Sequence, residues 1–200
     1  MAHSRNPAPR AAGRASETFY LVAERPEDNE TLAELQARNE ISIGVDLGLG
    51  GAISAVSGRA LLAVVDMPVL DDGPAGRRTV NAALLADIVA RSHATKAFVE
   101  YVGARPGEGA VGAFSFGRSR GVVEGVLATL GIPVTFLTPP TWKRIVGIPP
   151  GKAGAKDAAR SEAIRRWPDK ATLFARVKDD GRAESALIAV AGLLREARNG

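Results

Sequence analysis

The sequence predicts a mixed α/β sheet of five strands flanked by helices, and three observations carry that reading. Three β-branched runs separated by glycine-containing turns open the body of the chain, at ISIGVDL, GAISAVS and ALLAVVDMPV. Runs this close in sequence pair as an antiparallel meander. Two further apolar runs, KAFVEYV and IPVTFLTP, each follow a segment with helical features. The order βββαβαβ, closed by helices, makes one mixed sheet with helices packed against it.

Taken in order, residues 1–40 form a leader and residues 41–200 one domain. The Pro/Ala/Arg-rich tail MAHSRNPAPRAAGRASE buries too little to order itself. FYLVAE is a short strand candidate, and DNETLAELQARNE a helix capped by Asn29 or Thr31. After the three strands DDGPAGRR is a loop, and Leu84, Leu85, Ile88 and Val89 place TVNAALLADIVARSH on a helix. VGARPGEG is a second loop. GAVGAFSFGRSRGVVEGVLATLG is a long helix ending at Gly131, and Pro139 to Val146 a short one. KAGAKDAARSEAIRRWP reads as a basic helix and RAESALIAVAGLLREAR as the closing one.

The bulk numbers exclude several chemistries. Two hundred residues at 46% hydrophobic suffice for one domain with a sizeable core. With no cysteine there is neither a disulfide nor a thiolate metal site, and the two histidines, His3 and His93, do not make a histidine site. No apolar run approaches the ~18 residues of a membrane span, and no secretory signal core is present, so a cytoplasmic protein is expected. Residues 102–182 carry 14 basic and seven acidic groups, a net +7 against +4 for the whole chain. That asymmetry points to a polyanion partner, with nucleic acid the obvious one.

Lone acids at the ends of apolar runs carry the chemistry. Asp46 sits in ISIGVDL, Glu100 closes AFVE, and Asp180 and Glu184 stand four apart at the opening of the last helix, on one face. A carboxylate in an apolar run must be paired, neutralised or metal-bound. If the first and fourth strands are neighbours, Asp46 and Glu100 lie side by side and the helix adds the other two. Converging carboxylates suit Mg²⁺ or Mn²⁺, and two such ions can drive phosphodiester cleavage.

GVDLGLGGAISAV, FVEYVGARPGEG, AFSFGRSRGVVEGVLATLGIPVTFLTPPTWKRIVGIPPGKAGAK and DDGRAESALIA together resemble the RuvC-type Holliday-junction resolvases, over about residues 41–197. The resemblance implies a ribonuclease H-like fold and Mg²⁺-dependent cleavage of branched DNA by a homodimer. The family's acids fall on Asp46, Glu100, Glu184 and, less regularly, Asp180. The family pair on the last helix is three apart, position 181 here is Gly, and Asp179 competes with Asp180. The family's phosphate-binding lysines fall on Lys143 and on Lys156 or Lys152. Phe114 and Phe116 match its aromatic pair near the junction, where a ring can stack on an unpaired base. Arg105, Arg118 and Arg120 are candidate phosphate ligands, Arg182 a clamp beside the acids, and Arg160 part of the DNA-facing basic window. Trp142 and Trp167 read as core. An actin-like ATPase is disfavoured by length and by the lack of a second glycine-rich phosphate loop. A related nuclease acting on flaps, forks or RNA, and a non-catalytic DNA-binding homologue, remain as alternatives.

Overall fold

The alternation along β1 (Ile41–Asp46) gives the sheet two different faces. Ile41, Ile43 and Val45 enter one apolar cluster, while Ser42, Gly44 and Asp46 point the other way. In this computed structural model, residues 40–72, 76–103, 107, 109–149 and 155–199 are described. The strand and helix expected in the leader, together with Arg105, Lys152 and the side chain of Lys156, lie outside the described residues.

β1 pairs antiparallel with β2 (Ala52–Ser57), and β2 with β3 (Ala60–Asp66). On its other edge β1 pairs parallel with β6 (Lys96–Glu100), which pairs parallel with β7 (Val134–Leu137). The five-stranded order is β3-β2-β1-β6-β7. The predicted meander and the predicted neighbourhood of the first and fourth sheet strands are both present. A feature not expected from the sequence is a separate hairpin of β4 (Val69–Asp71) and β5 (Arg78–Val80). Pro68 has no N–H to continue β3, so the chain turns there, and the Pro68 carbonyl accepts from Asn81 instead.

Helices cover both faces. α1 (Ala82–Ser92) and α2 (Ala110–Thr129) bring Leu85, Val89, Val123 and Leu127 onto Ile43, Val45 and Val99. Asn81 caps α1 by accepting from the Leu84 amide at 3.1 Å. The opposite face carries α3 (Pro139–Val146), α4 (Ala155–Arg166) and α5 (Asp180–Asn199), with 3-10 segments at Pro168–Phe174 and Val177–Asp179. α3 starts on prolines and stops at Gly147, whose φ of 85° suits glycine. Its Trp142 joins Phe98, Leu137, Phe174, Leu187 and Ile188 in the second core.

α5 lies unusually close to the sheet. A Cβ on Gly44 would stand 2.1 Å from the Ser185 carbonyl oxygen, and one on Gly192 would meet the Phe98 ring. Ser54 and Ser185 share a buried hydroxyl hydrogen bond of 2.6 Å across this seam. No described helix is long and apolar enough to cross a membrane.

Candidate functional site

The carboxyl ends of β1 and β6 place the first two acids. In the parallel register Val45 stands beside Val99, so Asp46 and Glu100 are the next residues on adjacent strands. Both follow the parity of Gly44 and Phe98, which puts them on the α5 face. Glu100 is buried and Asp46 half-buried. The carboxyl edge of parallel strands is where open α/β sheets commonly bind ligands.

The helix acids arrive through a backbone contact. A Cβ on Gly181 would stand 2.6 Å from the Gly50 carbonyl oxygen and 3.1 Å from Asp46 Oδ2. The first turn of α5 is therefore pressed onto the β1–β2 turn and the Asp46 carboxylate. Glycine at 181, the point where this sequence departs from the resolvase pattern, is what permits the approach. Gly51 is subject to the same demand, since a Cβ there would meet the Asp46 carbonyl at 2.1 Å.

α3 bridges the remaining acids with two successive residues. The Lys143 ammonium stands 3.4 Å from Glu184 Oε1, with both side chains largely buried, and lies 5.0 Å over the Trp142 ring. Trp142 donates its Nε1–H to Glu100 Oε1 at 2.9 Å. Its reading as core is correct but incomplete, because it also holds Glu100, one of the candidate acids. The available signal was that a fully buried tryptophan must still place its N–H, and TWK sets that N–H one residue from Lys143.

Asp179 and the arginines have other engagements. Asp179 is buried, accepting from the Arg176 amide at 2.8 Å and from its guanidinium at 2.8 and 3.1 Å, with Arg182 at 3.8 Å. Burial pushes the Asp179 carboxyl up, but the Arg176 hydrogen bonds and the charges of Arg176 and Arg182 outweigh it and leave the pKa lowered. Arg182 donates to both oxygens of Asp66 at 2.5 and 2.7 Å. Arg118 pairs with Asp72. Arg120 pairs with Glu124 and lies 4.6 Å over Tyr101 and 5.1 Å over Phe136. Arg160 pairs with Asp157 and donates to the Ala175 carbonyl. On α2 the two phenylalanines separate, with Phe114 73% exposed and Phe116 packed against the core.

All four candidate acids thus stand on elements that meet at one end of the sheet, and their oxygens suit a hard divalent cation. Among the described residues, however, no group of three or more acids or histidines is close enough to hold a metal ion. One oxygen of Glu184 faces Lys143 and one of Glu100 faces Trp142, so the side chains as arranged do not form a finished cage.

No family model and no curated protein matches this sequence. Solved structures do match. RuvC of Thermus thermophilus, in complex with a Holliday-junction substrate, aligns with a TM-score of 0.57 and 17% identity, covering 80% of this chain and 96% of that one. A second structure of Thermus thermophilus RuvC gives 0.51 and 15% over the same shares. At such identity the likeness is one of architecture, and the chain has the ribonuclease H-like fold that RuvC has.

Proposed function

We propose that this chain is a divalent-metal-dependent nuclease that cuts branched DNA, with the four-way junction as its preferred substrate and a homodimer as its working form. The observation that carries the reading is the close approach of Gly181 to the Gly50 backbone and the Asp46 carboxylate in a RuvC-like fold, which favours a site shared by the strand-end acids and the Asp180–Glu184 turn. Asp46, Glu100, Asp180 and Glu184 would hold Mg²⁺ or Mn²⁺, as two ions. Those ions would supply an activated water and a counter-charge for the leaving oxygen.

The chain's own groups do the positioning. Trp142 fixes one Glu100 oxygen and with it the orientation of a carboxylate that would serve a cation. Lys143, 26% exposed at the rim, steadies the scissile phosphate as a point charge, trading its contact with Glu184 for one with the substrate. Lys152, Lys156 and Arg105 contact the DNA backbone, and Phe114 offers a ring to an unpaired base.

The test is cleavage of a four-way junction, a flap, a duplex and an RNA–DNA hybrid, each with Mg²⁺ or EDTA. The junction should be cut fastest, and only with Mg²⁺. Asp46→Asn and Glu100→Gln should abolish cleavage while junction binding survives, because the basic surface is untouched. Residual turnover within about tenfold of wild type in either variant ends the metal assignment, since lost ligands cost far more.

A further inference from the structure

An apolar groove of about 480 Å³ lies at the end of the sheet opposite Asp46. Trp167, Val190, Leu193 and Leu194 line it, with Leu194 36% exposed, and Arg59, Arg165 and Arg166 stand at its rim. Arg165 and Arg166 share a single carboxylate, Glu162, and Arg59 makes no ion pair among the described residues. The rim therefore carries excess positive charge around an apolar floor. A groove of that kind fits an apolar segment flanked by acids.

The chain supplies such a segment. Residues 17–40 hold seven acidic groups and two arginines, a net −5. Within them ETFYLVAERPE, residues 17–27, groups Phe19, Tyr20, Leu21 and Val22 between Glu17 on one side and Glu24 and Glu27 on the other. The leader also leaves the domain at the right place. Glu40 pairs with Lys96 at 2.6 Å, and Lys96 pairs at 3.1 Å with Glu196, the neighbour of the groove residue Ala197 on the last turns of α5. From Glu40 back to Leu21 an extended chain spans about 60 Å and a helical one about 28 Å, so either conformation reaches a groove beside its own exit.

We propose that residues 17–27 dock in cis on this groove, Phe19–Val22 on its apolar floor and the flanking glutamates on Arg59, Arg165 and Arg166. Tethering makes modest contacts sufficient, because a linker of this length gives an effective concentration on the order of millimolar.

The lack of native cysteine allows a direct test on the full chain. Leu21→Cys/Leu194→Cys should form an intramolecular disulfide on mild oxidation about tenfold faster than Leu21→Cys/Arg91→Cys, a margin of the size docking adds to tethering alone. Arg91 is exposed on α1, which leads into β6 near the leader's exit, but it lies outside the groove. Adding Arg59→Glu and Arg165→Glu should bring the two rates together. Hydrogen exchange of the wild-type chain should show protection in residues 17–27 that the same two charge reversals remove, a readout independent of any introduced thiol. Equal cross-linking rates, or exchange of residues 17–27 at the unstructured rate in wild type, overturn the proposal. Disulfides formed chiefly between molecules overturn it also, assigning the groove to a second copy.

Discussion

Replacing Trp142 by Phe removes one N–H and part of one ring from a fully buried position, and its cost can be worked out in advance. A hydrogen bond to a charged group contributes about 1.5–3 kcal/mol, and the 2.9 Å contact to Glu100 is buried on both sides. The smaller ring leaves roughly 40 Å³ unfilled, which at ~24 cal/mol per Å³ costs about 1 kcal/mol more. Urea unfolding at neutral pH should therefore show a loss of about 2.5–4 kcal/mol. A double-mutant cycle with Glu100→Met separates the parts, because an uncharged thioether accepts only weakly while the cavity cost persists. The coupling energy should be about 1.5–3 kcal/mol. Junction cleavage by Trp142→Phe should fall about 10–100-fold, as expected when a group orienting a metal ligand is lost. A coupling below about 0.5 kcal/mol, the usual scatter of additivity, would show that Trp142 does not hold Glu100.

Gly181→Ala should destabilise by about 1–3 kcal/mol, the usual cost of overpacking, because its Cβ would meet the Gly50 backbone and α5 must retreat; chemical denaturation reads the loss, and cleavage should suffer more than DNA binding. Glu184→Gln should abolish cleavage, whereas Asp179→Asn should leave turnover near wild type and act on stability instead. Because the folded Asp179 pKa is lowered, its contribution is present above the ordinary aspartate value and lost as pH falls through the depressed one. Thermal melts of Asp179→Asn should accordingly be less stable at neutral pH and lose less than wild type below about pH 4. Lys143→Gln should weaken binding to every junction sequence alike and reduce the salt slope by about one phosphate contact, measured by fluorescence anisotropy across a salt series.

Much of the fold is legible in the sequence because its signals are local. The period-two alternation around Asp46, the helical spacing of Leu84 to Val89 and the prolines opening α3 each act within a few residues. The β4–β5 hairpin was not legible, because its strands are only three residues long and carry no alternation of their own. At the site the elements could be anticipated but not the partners. That Trp142 reaches Glu100, 42 residues away, or that Arg182 binds Asp66 across 116 residues, depends on packing between distant segments. The glycine at 181, a departure when read against a motif, has its reason only once Gly50 is seen against it.

The seam between α5 and the sheet has a mechanical consequence. Ser185 and Ala189 meet Gly44, and Gly181 meets Gly50, by main-chain contact with no flexible side chain in between. Such a joint behaves as a welded corner rather than a cushioned one. Rotation of surface side chains on warming should therefore leave the spacing between strand acids and helix acids little changed until helix and sheet part. If the acids act together as proposed, cleavage and cooperative folding should share one temperature limit, because the same joint serves both.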